Sequence, residues 1–267
     1  MTNDAWWSRS RAVDVDDIRW DDVPRTPLRP ATVRALRYMQ DVEAHTIVYL
    51  RQLLATRAID EPAVATFLAT WFYEETAHGR ALDRFLRAAG YAPAARVRSH
   101  APPIHRLQER AMAALSRTWP DFVAVHMTWG AINELTALAA YQRLAALADH
   151  PVLTALLARL VRDEARHYAF YARQASRRLA APAARRITRV LVDRFWAPVG
   201  SGVQADAEVR ALADFLFGGP EGHAAARRID AALGRLPGFD DARVVERWLD
   251  RAHVSPAAPP IALVPAG

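Results

Sequence analysis

Four segments of this 267-residue chain share one anomaly: a glutamate stands in the middle of a stripe whose spacing assigns it to a helix core. The first stripe reads Leu36, Met39, Glu43, Ile47, Leu50, Leu54 and the second Val64, Leu68, Trp71, Glu75, His78, Leu82, Phe85. The third is Val123, Met127, Gly130, Glu134, Ala137, Tyr141, and the fourth Leu153, Leu157, Leu160, Glu164, His167, Tyr171. Steps of three and four residues place each set on one side of an α-helix. Periodicity of this kind runs through almost the whole chain, and nothing of useful length alternates with the two-residue period of a strand. The expected fold is all-α. Pro and Gly punctuation predicts helices over 31–57, 61–89, 119–147 and 150–180, a shorter one over 103–117 and several after 182.

The four glutamates also agree in height. If the first two helices turn near Ile59, Glu43 and Glu75 each lie 16 residues from that turn, and Glu134 and Glu164 each lie 15 from Asp149. At about 1.5 Å rise per residue, antiparallel partners then meet at one level. Two of the helices repeat each other. Glu74-Glu75-Thr76-Ala77-His78 recurs 89 residues later as Asp163-Glu164-Ala165-Arg166-His167. Asp60-Glu61-Pro62 recurs at the same offset as Asp149-His150-Pro151, which reads as an acid N-cap followed by an early proline. With ten Glu and nine His, chance supplies roughly 0.3 Glu-x-x-His pairs, so phase and height together carry the signal rather than either pair alone. No Arg falls on the stripe positions to pair these acids. Four buried carboxylates without counter-charge would cost many kcal/mol or be forced to protonate, whereas two divalent cations would neutralise them.

Composition narrows the choice of metal and of partner. The chain has no Cys, which removes disulfide scaffolds, thiolate zinc sites, Cys-ligated iron–sulfur clusters and cysteine nucleophiles. Carboxylate oxygen with imidazole nitrogen suits iron or manganese better than copper(I) or a structural zinc. A hydrophobic content of 52% supports a large core and excludes disorder as the main theme. No apolar run approaches the roughly twenty residues of a membrane span. The opening MTNDAWWSRSRAVDVDDIRW lacks a basic region followed by an apolar one, so a cytoplasmic location is expected. All 35 basic residues are Arg and the net charge is +6, which favours acidic partners, but no basic arm interleaved with aromatics suggests nucleic acid. Residues 1–30 read as a lead-in, 31–200 as the bundle, 201–254 as additional helices packed on it, and 255–267 as a Pro/Ala-rich tail.

A Glu from each of two helices with Glu-x-x-His from each of the other two is the pattern of ferritin-like di-iron carboxylate proteins. More narrowly, EETAHG at Glu74–Gly79 and DEARHYAFY at Asp163–Tyr171 resemble the motifs of the soluble acyl-carrier-protein desaturases, the actinobacterial branch especially. The resemblance covers the bundle segment and implies a ferritin-like four-helix bundle with a di-metal centre in its core and additional C-terminal helices. It implies Glu43, Glu75, His78, Glu134, Glu164 and His167 as ligands, with Glu75 and Glu164 bridging, and Asp163 accepting a hydrogen bond from a ligand imidazole. It further implies an O₂-dependent oxidase with two iron ions, ferrous when reduced, or a mixed manganese–iron pair. The substrate would be an acyl chain on acyl carrier protein, and the enzyme a homodimer.

One departure leaves the outcome of oxidation open. The family often has a Thr one turn after the third-helix Glu, where this chain has Ala137, while Thr136 points elsewhere. Thr46, one turn after Glu43, is the alternative hydroxyl, unless it bonds back to its own backbone. A di-iron hydroxylase or N-oxygenase acting on a carrier-tethered intermediate of specialised metabolism is the competing expectation. Trp71 and Tyr171 flank the expected metals by one turn, as core filling or as an electron relay. Gly130 and Ala131 leave space beside Glu134 for a chain, or serve close helix packing. His45 faces away from Glu43's side and His126 lies beside its stripe, so neither is an expected ligand. With no Cys for an iron–sulfur centre of its own, the chain needs an external electron donor such as a ferredoxin. The run Arg173 to Arg194 holds seven Arg against Asp193 alone, either a docking place for an acidic carrier or donor or a solvated basic helix end. A ferritin-like iron-handling or peroxide-scavenging protein is the alternative of another class, disfavoured by roughly a hundred residues beyond a minimal bundle.

Overall fold

The computed structural model describes residues 10–92, 114, 116, 117, 119, 121–202 and 204–257. Among these residues there are nine α-helices and no strand. They are α1 (Pro30–Ala44), α2 (Thr46–Leu54), α3 (Pro62–Ala88), α4 (Phe122–Ala148), α5 (Pro151–Leu179), α6 (Pro182–Phe195), α7 (Asp206–Phe217), α8 (Gly219–Leu233) and α9 (Val244–Arg251). The chain is all-α, as its periodicity predicts. Of the expected helix over 103–117, only Ala114, Ser116 and Arg117 are described, and the tail beyond Ala257 also lies outside the described residues.

Prolines open α1, α3, α5 and α6 at the first turn, where a missing N–H costs nothing and the fixed φ suits a helix. The repeated helix starts are capped differently from expectation. Glu61 and His150, not the aspartates before them, are the N-cap residues of α3 and α5. His150 Nδ1 accepts from the Leu153 amide at 3.2 Å, while Glu61 makes no capping bond and instead pairs with Arg177 and Arg178 of α5. Asp149 closes α4 in the left-handed region, φ 48°, so that two residues suffice to turn the chain into the antiparallel α5.

The core bundle is formed by α1–α2, α3, α4 and α5, with α4 against α5 and α1 against α3. The stripes of the second and fourth helices are buried throughout, and that of the third except at Ala137, which is half-buried. The first stripe is a correction. A one-residue turn at His45 separates α1 from α2 and rotates the phase, so Ile47 and Leu54 face solvent at 49% and 46% exposure. Thr46, Leu50 and Leu53 are the buried residues after the break.

Later helices flank this bundle: α6 lies on α4 and α5, α7 on α1 and α4, and α8 on α4 and α9. Asp230 on α8 accepts hydrogen bonds from the amides of Val245 and Glu246, both at 3.0 Å, and so holds the first turn of α9. Ahead of α1, Val13, Ile18, Val23 and Leu28 are buried in the same core. Among the described residues no helix is long and apolar enough to cross a membrane.

Candidate metal centre

Each of the four bundle helices brings its central glutamate to one place. Glu43, Glu75, His78 and Glu164 form one group, and Glu75, Glu134, Glu164 and His167 a second; within each, one potential ligand atom per residue lies within 4.8 Å of the others. All six residues are buried, and Glu75 and Glu164 belong to both groups. The repeat explains this geometry. Glu75 and Glu164 each stand 13 residues beyond their helix-opening proline, about 20 Å up α3 and α5. Glu43 comes from the last turn of α1, beside Gly79, where a Cβ would stand 3.2 Å from the Glu43 Cβ and 3.3 Å from the Ala44 amide nitrogen. The glycine that follows His78 is what lets α1 approach α3 at the site.

Both histidines are held by their outer nitrogens. His78 Nε2 lies 3.1 Å from Asp163 Oδ2 and His167 Nε2 lies 2.7 Å from Glu74 Oε2, which turns each Nδ1 toward the cluster. His78 Nδ1 is 3.4 Å from Glu164, and His167 Nδ1 is 3.0 Å from Glu75, 3.4 Å from Glu164 and 3.6 Å from Glu134. The two clamps cross. The acid preceding the shared glutamate on α3 grips the imidazole of α5, and the acid preceding it on α5 grips the imidazole of α3. Arg166 joins them, reaching Asp163 Oδ1 at 2.6 Å and Glu74 Oε2 at 3.1 Å. Sequence reasoning singles out Asp163 and misses Glu74, although Glu74 occupies the equivalent place in the 89-residue repeat. It also misses Tyr141, whose hydroxyl donates to Glu43 Oε1 from the fully buried face of α4.

The donor set can be tested against a metal by its unsatisfied atoms. Glu43 Oε2, Glu75 Oε1, His78 Nδ1 and both oxygens of Glu164 are buried without a hydrogen-bond partner. A buried orphan of this kind ordinarily costs about 1–3 kcal/mol, so five in one cluster favour a ligand there. They fit two divalent cations in charge and in donor type. Burial and neighbouring carboxylates lift the carboxyls of Glu43 and Glu75 above the usual range, and burial lifts that of Glu134. Burial opposes ionisation of Glu164 too, but its contacts with His167 and His78 outweigh that and hold it below the ordinary range. The imidazolium forms are likewise opposed by burial, yet Asp163 and Glu164 at His78, and Glu134 and Glu164 at His167, raise both histidines well above their usual value. Without cations the cluster is therefore balanced by protons.

The flanking residues divide. Trp71 and Tyr171 meet edge to face at 6.2 Å, and both Trp71 Nε1 and the Tyr171 hydroxyl are buried without a partner. Phe67 packs edge-on against Tyr171 at 4.9 Å. Space at Gly130 belongs to Tyr171 rather than to a chain: a Cβ there would stand 2.4 Å from the Tyr171 ring. Ala131 is buried in the core, and Thr46 is buried at the start of α2. Thr136 bonds back to the Ile132 carbonyl at 2.8 Å. His45 turns to Asp41, 2.7 Å from its carbonyl, and neither His45 nor His126 joins the cluster. Part of the basic run is spent internally, since Arg177 and Arg178 pair with Glu61, and Arg189 with Asp193 and Asp241.

Residues 45–193 match the family model for fatty acid desaturases, a span that contains five of the six clustered residues and begins just after Glu43. No curated protein and no solved structure matches the chain.

Proposed function

The chain belongs to the fatty acid desaturase family, and we propose that it is an O₂-dependent di-iron enzyme that desaturates an acyl chain carried on acyl carrier protein. The observation that carries this reading is the convergence of four glutamates and two histidines, from four helices, on one buried cluster. In it, Glu43 and His78 would hold one iron and Glu134 and His167 the other, with Glu75 and Glu164 shared between the two groups. Iron bound there would supply electrons and open coordination positions for reducing O₂.

The chain's own residues then have definite tasks. Asp163 and Glu74 fix the imidazole tautomers so that Nδ1 faces inward, and the bonds from His78 and His167, helped by Arg166, hold those two acids below the usual carboxylate range against the opposing effect of burial. Phe67, Trp71 and Tyr171 wall the cluster and exclude water beside it. Desaturation breaks two C–H bonds and takes two electrons and two protons from the chain. Two further electrons from an external donor, with two protons, complete the reduction of O₂ to two waters. With no Cys present, a ferredoxin-like protein supplies those electrons. Arg186 and Arg194, exposed on α6 beside the exposed Ile187, Val190 and Phe195, offer a basic and apolar face for an acidic carrier or donor.

Hydroxylation or N-oxygenation of a carrier-tethered intermediate is the second reading. It is favoured by the unpartnered polar atoms of Trp71 and Tyr171 and by Ala137, since a plain hydrocarbon chain would leave both donors unsatisfied. Anaerobic ferrous loading tests the shared premise: about two irons per wild-type chain and their loss in Glu164→Ala support it, while a wild type that binds none refutes it. Mass spectrometry after turnover with reductant, O₂ and acyl carrier protein substrates separates the two readings. Loss of two hydrogens marks desaturation and gain of one oxygen marks the alternative.

A further inference from the structure

The two halves of the cluster are related by the repeat in their histidines but not in their terminal glutamates. Glu43 has a hydroxyl seated on it. Tyr141, fully buried on α4, donates to Glu43 Oε1, and Glu43 Oε2 is left buried without a partner. Nothing equivalent sits on Glu134 among the described residues. Tyr171, the buried tyrosine whose hydroxyl feels the Glu134 charge, keeps that hydroxyl unpartnered. Glu43 is further confined by its place at the end of α1, one residue before the turn at His45, and by Gly79 packed against its Cβ. A side chain anchored in this way cannot swing to present both oxygens inward.

We propose that Tyr141 is a positioning residue that makes the halves unequal, reserving one oxygen of Glu43 so that the Glu43/His78 half is the weaker of two cation sites. The inference rests on the di-metal reading above. Counted from the side chains, the Glu43/His78 group offers four donor atoms, one each from Glu43, Glu75, His78 and Glu164. The Glu134/His167 group offers the same four types, and Glu134 has no tyrosine holding back its second oxygen. Fewer donors on an otherwise equivalent set mean lower affinity; losing a partner of a metal ligand ordinarily weakens binding by about 10–100-fold, and Tyr141 is the opposite case because its hydroxyl competes with the metal for a ligand oxygen. The functional consequence is order: the Glu134/His167 half fills first, and the Glu43/His78 half is the one that keeps room for a further ligand.

The test is a titration of the metal-free full-length protein with Co²⁺, read by absorbance and by calorimetry, without turnover. Wild type is expected to bind in two steps separated by about tenfold. His78→Ala should abolish the weaker step and His167→Ala the tighter one. Tyr141→Phe keeps the ring, frees Glu43 Oε1, and should tighten the weaker step by about tenfold, merging the two. Two equal steps in wild type, loss of the weaker step in His167→Ala, or an unchanged separation in Tyr141→Phe would each overturn the proposal. If Tyr141→Phe does not fold, the wild-type and histidine titrations decide it alone. A wild type that binds no Co²⁺ fails the di-metal reading itself, which is a distinguishable result.

Discussion

Replacing Gly130 by Ala puts the close packing of α4 on α5 to a sign test. The new methyl would meet Tyr171 Cε1 at 2.4 Å and Cδ1 at 2.5 Å, far inside van der Waals contact. Tyr171 cannot retreat cheaply, because it is fully buried with Phe67 at 4.9 Å and Trp71 at 6.2 Å. Overpacking of a filled core costs about 1–3 kcal/mol. Against this, Ala is favoured over Gly within a helix by about 1 kcal/mol. The expected net loss is up to about 2 kcal/mol, read as a fall of up to roughly 8 °C in the melting temperature of the metal-free protein. In a Tyr171→Leu background the same Gly130→Ala change should become neutral or stabilising, since the obstructing ring is gone. If Gly130→Ala alone raises stability, the glycine faces open space and the packing argument is wrong.

Glu74→Gln and Asp163→Asn should each weaken metal binding by about 10–100-fold at the histidine they hold, His167 and His78 respectively, and chelator competition would show equal, small losses if the clamps do not matter. Metal loading should release protons and strengthen as pH rises, because Glu43, Glu75, Glu134 and both histidines hold protons more firmly in the metal-free protein than free side chains do; calorimetry in buffers of different ionisation enthalpy measures the release. His126 is pushed down to about 4 by burial, against an ordinary value of about 6.5, so its ring is neutral in both folded and unfolded chains above that pH. As pH falls from about 6.5 to about 4 only the unfolded chain takes up the proton, costing up to about 3 kcal/mol of stability, and His126→Gln should flatten that part of the denaturation profile.

The legible part of this protein follows from its periodicity. Residues three and four apart share a helix side wherever the helix runs straight, so the second and fourth stripes and the Glu-x-x-His pairs follow from spacing alone. The first stripe shows where that logic ends. It holds through Glu43 and fails at Ile47, because the turn at His45 changes the phase and no residue in that stretch announces a break. Glu74 is within reach of the 89-residue repeat, yet repetition indicates only that a place is equivalent, not that its carboxylate crosses to the other helix.

Tyr141 lies on the correct stripe without a sign of what its hydroxyl will find. Gly130 reads equally well as room for a ligand or as room for a neighbour, and the ring of Tyr171 decides it. A chain by itself determines which side chains share a helix face, since that depends on local geometry alone. Which atoms meet across the bundle is set by the rotation, height and approach of separate helices, and so the Tyr141–Glu43 bond and the crossed histidine clamps exist only once α1, α3, α4 and α5 have packed.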